Sequence, residues 1–240
     1  MSNARYAIYW APDTRTALWR LGSHWLGYDA ASGADLACPT LDGHDSAWVR
    51  VLTDEPRRYG LHATLKPPMR LAPRADAKEL DRVARALAAQ QSAFELPRLE
   101  LRRVGRFLAL RPVAPCEDMD QLAAACVAEF DALRMPPSEA ELRRRAALRL
   151  TERQRELLER WGYPYVFDEW RFHLSLTRPL TDEQAQALAG PLRSFLLPGL
   201  VTPALVDAIC VYVQDEGAER FRLAARYGFD GRVDPSKGLR

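Results

Sequence analysis

Two short runs join an imidazole to a hydroxyl inside an apolar frame: "HATLK" from His62 to Lys66, and "HLSLT" from His173 to Thr177. Side chains alternate along a strand, with about 6.6 Å between neighbours on one face. On that spacing His62, Thr64 and Lys66 share a face, and so do His173, Ser175 and Thr177. Ala63, Leu65, Leu174 and Leu176 fill the opposite, core-facing rows. Two such polar rows facing each other would line one cleft with two imidazoles and two hydroxyls. An imidazole titrates near 6.5, so around pH 7 one can accept a proton while a protonated partner donates one. The hydroxyls can donate hydrogen bonds to phosphoryl oxygens as charge builds there. That set suits cleavage of a phosphoester with an oxygen leaving group, and it requires neither metal nor cofactor. Acyl transfer fits less well, because the chain has no G-x-S-x-G elbow.

The bare pattern H-x-[ST] is weak, since His44-Asp45-Ser46 matches it too. His44 follows Gly43 in a polar loop and reads as a surface residue, while His24 sits in a helix among Trp and Leu. Further candidates for substrate contact lie beside the motifs. Lys66 offers a point charge to a terminal phosphate. Tyr59 and Tyr165 could close the cleft or pack in the core. Arg178 could clamp a phosphate, although 34 basic residues with only three lysines put an arginine near most sites. Arg143, Arg144 and Arg145 read as a solvated helix face.

The positioning elements follow from periodicity and punctuation. "RYAIYWAP" (5–12) is a strand ended by Pro12, and "TRTALWRLGSHWLG" is helical. Residues 29–46 read as loop. The His62 strand stops at Pro67-Pro68, and Asp76 with Glu79 opens a helix over 76–91. "FELPRLELRRV" and "RFLALRPV" form two strands about Gly105. Helices occupy about 118–162, with starts at Ser138 and Thr151. After the His173 strand comes a helix beginning at Thr181, then "ALVDAICVYVQ" and "ERFRLAARYGF" as a strand pair about Gly217. In both halves a histidine strand is followed by a helix and two strands. The expected fold class is α+β: two pseudo-symmetric sheet-and-helix lobes around a central cleft, with an inserted helical segment. Residues 1–240 are expected to form a single bilobal domain.

Composition bounds the rest. A net charge of +2 gives no reason to expect nucleic acid as a partner, without excluding it. The four cysteines, Cys38, Cys116, Cys126 and Cys210, form no C-x-x-C pair, which argues against zinc and for a reducing compartment. "MSNARYAIYWAP" has no signal-peptide core and no stretch reaches membrane-span length, so a cytoplasmic monomer is expected.

The two motifs resemble those of the 2H phosphoesterase superfamily, here His62-Ala63-Thr64-Leu65 and His173-Leu174-Ser175-Leu176. "LWRLGSHWLG", "EPRRYGLHATLKPP", "LRRVGRFLALRP" and "LTERQRELLERWGYPYVFDEWRFHLSLTRPL" are similar to a bacterial branch associated with phosphonate metabolism. The resemblance covers most of the chain. It implies His62 and His173 as a catalytic pair with Thr64 and Ser175 as phosphate ligands. It implies metal-independent hydrolysis of a small cyclic phosphodiester such as phosphoribosyl 1,2-cyclic phosphate. Two alternatives stay open: RNA processing at 2′,3′-cyclic phosphate ends, and a non-enzymatic nucleotide or phosphosugar binding module.

Overall fold

The computed structural model describes residues 3–139 and 149–235. In chain order its elements are β1 (Arg5–Trp10), α1 (Ala17–Leu26), β2 (Tyr28–Asp29), β3 (Ala34–Asp35), α2 (Ser46–Leu52), α3 (Asp54–Arg57), β4 (Ala63–Met69), α4 (Ala77–Ala88), β5 (Phe94–Glu95), β6 (Leu99–Val104) and β7 (Phe107–Pro112). There follow α5 (Glu117–Glu129), α6 (Glu152–Trp161), β8 (Leu174–Ser175), α7 (Asp182–Leu196), β9 (Leu205–Val206), β10 (Ala208–Gln214), β11 (Arg222–Gly228) and β12 (Val233–Pro235). The class is α+β. The run Arg143–Arg145 lies outside the described residues.

A five-stranded antiparallel sheet has the order β12-β11-β10-β1-β4, and a three-stranded one the order β6-β7-β8. The chain crosses between them. The His62 strand β4 joins, through β1, the hairpin made by β10 and β11 late in the sequence. The His173 strand β8 joins the earlier β6-β7 hairpin. Helices α4 and α5 pack on the five-stranded sheet, α7 packs on β6 and β7, and α1 packs on α7. One apolar core runs under both sheets, from Ile8 and Val211 to Leu108, Leu110 and Leu174. Among the described residues no helix is long and apolar enough to cross a membrane.

Local chemistry sets most boundaries. Thr151 and Thr181 each form a full capping box with the glutamine three residues on. Asp76 caps α4 by accepting from the Glu79 amide, and left-handed Gly27 and Gly162 end α1 and α6. The structure departs from expectation at several elements. Asp45, inside apparent loop composition, caps α2 by accepting from the Trp48 amide. The long helical stretch breaks after Glu129 into a turn at Asp131–Leu133 and extended chain at Pro136-Pro137. The His173 strand is short, because the Thr177 hydroxyl takes the Leu108 amide and residue 177 turns inward.

The largest correction concerns Lys66. In the β1–β4 ladder Tyr9 faces Thr64, but the next residue, Ile8, faces Lys66, leaving Leu65 as the extra residue of a bulge. A bulge breaks strict alternation. Lys66 therefore shares the face of Ile8 rather than that of Thr64, and its side chain is buried against α5. The ammonium donates to the Val127 carbonyl at 2.8 Å and to Asp131 Oδ1 at 3.0 Å. Asp131 is also held by Arg134. Lys66→Met is thus expected to lower stability by about 1–3 kcal/mol, the cost of leaving buried acceptors unpaired. The check is the shift in urea-unfolding midpoint, and a change within about 0.5 kcal/mol would show that this ammonium does not tie β4 to α5.

Candidate functional site

Each motif histidine is held in the same way. His62 Nδ1 lies 2.9 Å from the Gly60 carbonyl, and His173 Nδ1 lies 2.8 Å from the Arg171 carbonyl. A carbonyl only accepts, so each Nδ1 carries the proton and each Nε2 is left as the reactive nitrogen. Gly60 reaches this geometry at φ 74°, and a Cβ there would sit 2.7 Å from the Ala30 Cβ. Arg171 is anchored through its guanidinium to the Asp168 and Trp170 carbonyls.

The two imidazoles lie close enough for the charge on one to act on the other. Burial pushes His62 down to about 4, opposed by the Gly60 carbonyl and reinforced by His173. Burial also lowers His173, opposed by the Arg171 carbonyl and reinforced by Arg111. Both rings are therefore neutral at pH 7 in the free protein. This corrects the expectation of one neutral and one protonated ring. Thr64 and Ser175 are half-buried and follow their histidines by two residues, on strands β4 and β8. The Trp170 indole donates to the Thr64 carbonyl at 2.7 Å, tying the approach to β8 onto β4.

Of the other expected contacts, Tyr59 is 5.6 Å from the His62 ring and stacks on Phe221 at 5.3 Å. Tyr165 is exposed and meets Tyr163 edge-on. Arg178 reaches Asp54 at 3.5 Å. Lys66 lies on the helix-covered face. Three neighbours of the histidines escaped the sequence reading. Tyr9 stacks on His62 with centroids 4.0 Å apart. Phe107 stands 5.8 Å from the His173 ring. Arg111 acts on His173 through its charge. Alternation along β1 (Tyr9 opposite in face to Ile8 and Trp10) and along β7 (Phe107, Ala109, Arg111) was the signal that could have found them. Among the described residues no three His, Cys, Asp or Glu side chains gather as a metal site needs.

Residues 64–222 match the family model described as "Protein of unknown function (DUF1045)". A relative from Janthinobacterium sp. (strain Marseille), named ribose 1,5-bisphosphate phosphokinase PhnN, is 34% identical over 235 residues, covering 96% of this chain and 52% of the relative. A relative of the same name from Laribacter hongkongensis (strain HLHK9) is 35% identical over 224 residues, covering 91% of this chain and 50% of the relative. The chain spans about half the length of the curated relatives it matches. Their name overturns the expected cyclic phosphodiester hydrolysis, whether on a phosphoribosyl ring or an RNA end. A phosphokinase passes a phosphoryl group from a donor to a substrate, whereas a diesterase cleaves a diester with water.

The electrostatics of the pair hold under either activity and can be measured directly. An unfolded histidine takes up its proton near 6.5, whereas folded His62 takes it up only near 4. Between those values the unfolded chain binds more protons, so stability present above pH 6.5 is lost as pH falls toward 4. The loss traceable to His62 is on the order of 2–3 kcal/mol, at 1.36 kcal/mol per pKa unit and allowing for partial exposure. Urea midpoints at pH 7 and pH 4.5 should separate more widely for the wild type than for His62→Asn. Equal separations would mean that His62 is not held neutral.

Proposed function

The chain belongs to the DUF1045 family, and we propose that its paired histidine motifs bind a phosphorylated ribose as part of an enzyme of phosphonate metabolism. The observation that carries this reading is the matched clamping of the two imidazoles, each with Nδ1 on a carbonyl and Nε2 left free, with a hydroxyl two residues on. The Thr64 and Ser175 hydroxyls donate to phosphoryl oxygens, and each Nε2 accepts from a sugar hydroxyl or moves a proton at a sugar–phosphate oxygen. On this reading the H-x-[ST]-x pair is the scaffold of the 2H proteins, put to use on a phosphosugar. The relatives' name supplies the ligand class, since ribose 1,5-bisphosphate is a phosphorylated ribose. Their PhnN name also agrees with the phosphonate-associated branch that the sequence resembles.

A dianionic ligand changes the protonation of the site. Negative charge near either ring favours the imidazolium, against the burial that lowers both in the free protein. Binding would thus supply the protonated partner for the proposed reaction or contact. The sequence contains no G-x-x-x-x-G-K-[ST] run to cradle a nucleotide's phosphates. We therefore assign the phosphoryl donor to the part of the relatives that this chain does not span.

Calorimetric titration of the full chain with ribose 5-phosphate and with ribose 1,5-bisphosphate is expected to show saturable binding. Thr64→Ala or Ser175→Ala should each weaken it about tenfold or more, or ~1.4 kcal/mol. ATP alone should give no saturable heat. Saturable ATP binding without binding of either phosphopentose would overturn the assignment.

A further inference from the structure

Arg111 is a guanidinium whose charge acts on His173; among the described residues its buried Nε finds no hydrogen-bond acceptor and the side chain forms no ion pair. Its position follows from the ladder. On β7 and β8, Ala109 faces Ser175 and Leu110 faces Leu174. One step further along that register sets Arg111 across from His173, on the face that Ala109 and Ser175 share. The charge of Arg111 acts on His173 accordingly.

The residue opposite on the other side is Glu100 of β6. It would be the natural counter-ion, but its carboxylate is held by Arg102, two residues along the same strand. Buried polar groups without partners are uncommon in folded proteins, because desolvation is then uncompensated. A guanidinium left so beside the His173 ring presents a buried donor and a positive charge that no neighbouring carboxylate balances. We infer that Arg111 is a substrate-binding residue that receives a phosphate group of the ligand on the His173 side of the cleft. The planar fork of a guanidinium matches the oxygens of a phosphate monoester, which a lysine's point charge does not.

This rests on the reading that the cleft takes a phosphorylated ribose, and two probes keep the two ideas apart. The first is inorganic phosphate, followed through the imidazole resonances of the full chain. Phosphate should move His173 more than His62 in the wild type, and the effect should vanish in Arg111→Gln. The second is ribose 5-phosphate by calorimetry. Its affinity should fall at least tenfold in Arg111→Gln and recover partly in Arg111→Lys, a variant that keeps the charge and guards against simple misfolding. Phosphopentose binding that is equal in wild type and Arg111→Gln would overturn the role of Arg111 while leaving the sugar reading intact. Phosphate held through Arg111, with no phosphopentose bound by the wild type, would do the reverse. Phosphate that moves His173 equally in Arg111→Gln would also overturn the role of Arg111.

Discussion

A carbonyl two residues upstream of each motif histidine fixes the imidazole, and the rest of the site depends on that contact. Once the Gly60 and Arg171 carbonyls accept the two Nδ1–H hydrogen bonds, each ring has one orientation and one free nitrogen. The surrounding structure serves to put those carbonyls in place. Gly60 needs a left-handed backbone and has no room for a side chain against Ala30. Arg171 is pinned by its own guanidinium on two neighbouring carbonyls, and Arg153 holds Asp168 of the same segment in turn. Tyr9 then stacks on the His62 ring from the adjacent strand. Neither imidazole can turn without breaking a hydrogen bond in a partly dry setting.

The bulge at Leu65 divides labour along β4. Before it, His62 and Thr64 face the aromatic side of the sheet with Tyr9; after it, Lys66 faces α5 and the core. A regular strand would have put the lysine beside the threonine, and the acceptors at the end of α5 would have lost their donor. The crossing of the chain has a similar consequence. Strand β4 joins through β1 to a hairpin from the C-terminal half, and β8 pairs directly with a hairpin from the N-terminal half, so both strands are tied to distant parts of the chain. The indole bonds from Trp170 to Thr64 and from Trp25 to Leu176 bind these strands to segments far away in sequence.

Much of this was legible in the residues. The α+β class, the capping boxes at Thr151 and Thr181, and the strand character of both motifs rest on local rules that tertiary packing did not override. What escaped was non-local or a break in a local rule. Lys66 was misplaced because a bulge leaves no mark in composition; only the partner strand's register reveals it. Helix α2 was missed because Asp45, its cap, sits in a run rich in Gly, Asp and Ser that reads as loop. The neutral state of the histidines depends on burial that sequence distance hides, by Tyr9 of β1 over His62 and Phe107 of β7 near His173. Arg111 was one arginine among many until β7 was set against β8.

The name carried by the relatives overturns the reaction expected from the motifs, but the physical state of the site does not depend on the reaction. Two half-buried neutral imidazoles, with the Arg111 Nε near His173 finding no acceptor among the described residues, leave this site short of negative charge. Burial disfavours the charged form of each ring, and the carbonyl at each Nδ1 offsets that only in part. A phosphate would accept from the guanidinium, and its charge would favour protonation of the adjacent imidazole. On the proposed reading, a neutral sugar would leave the same deficits in place, so the phosphate rather than the sugar is what the site selects.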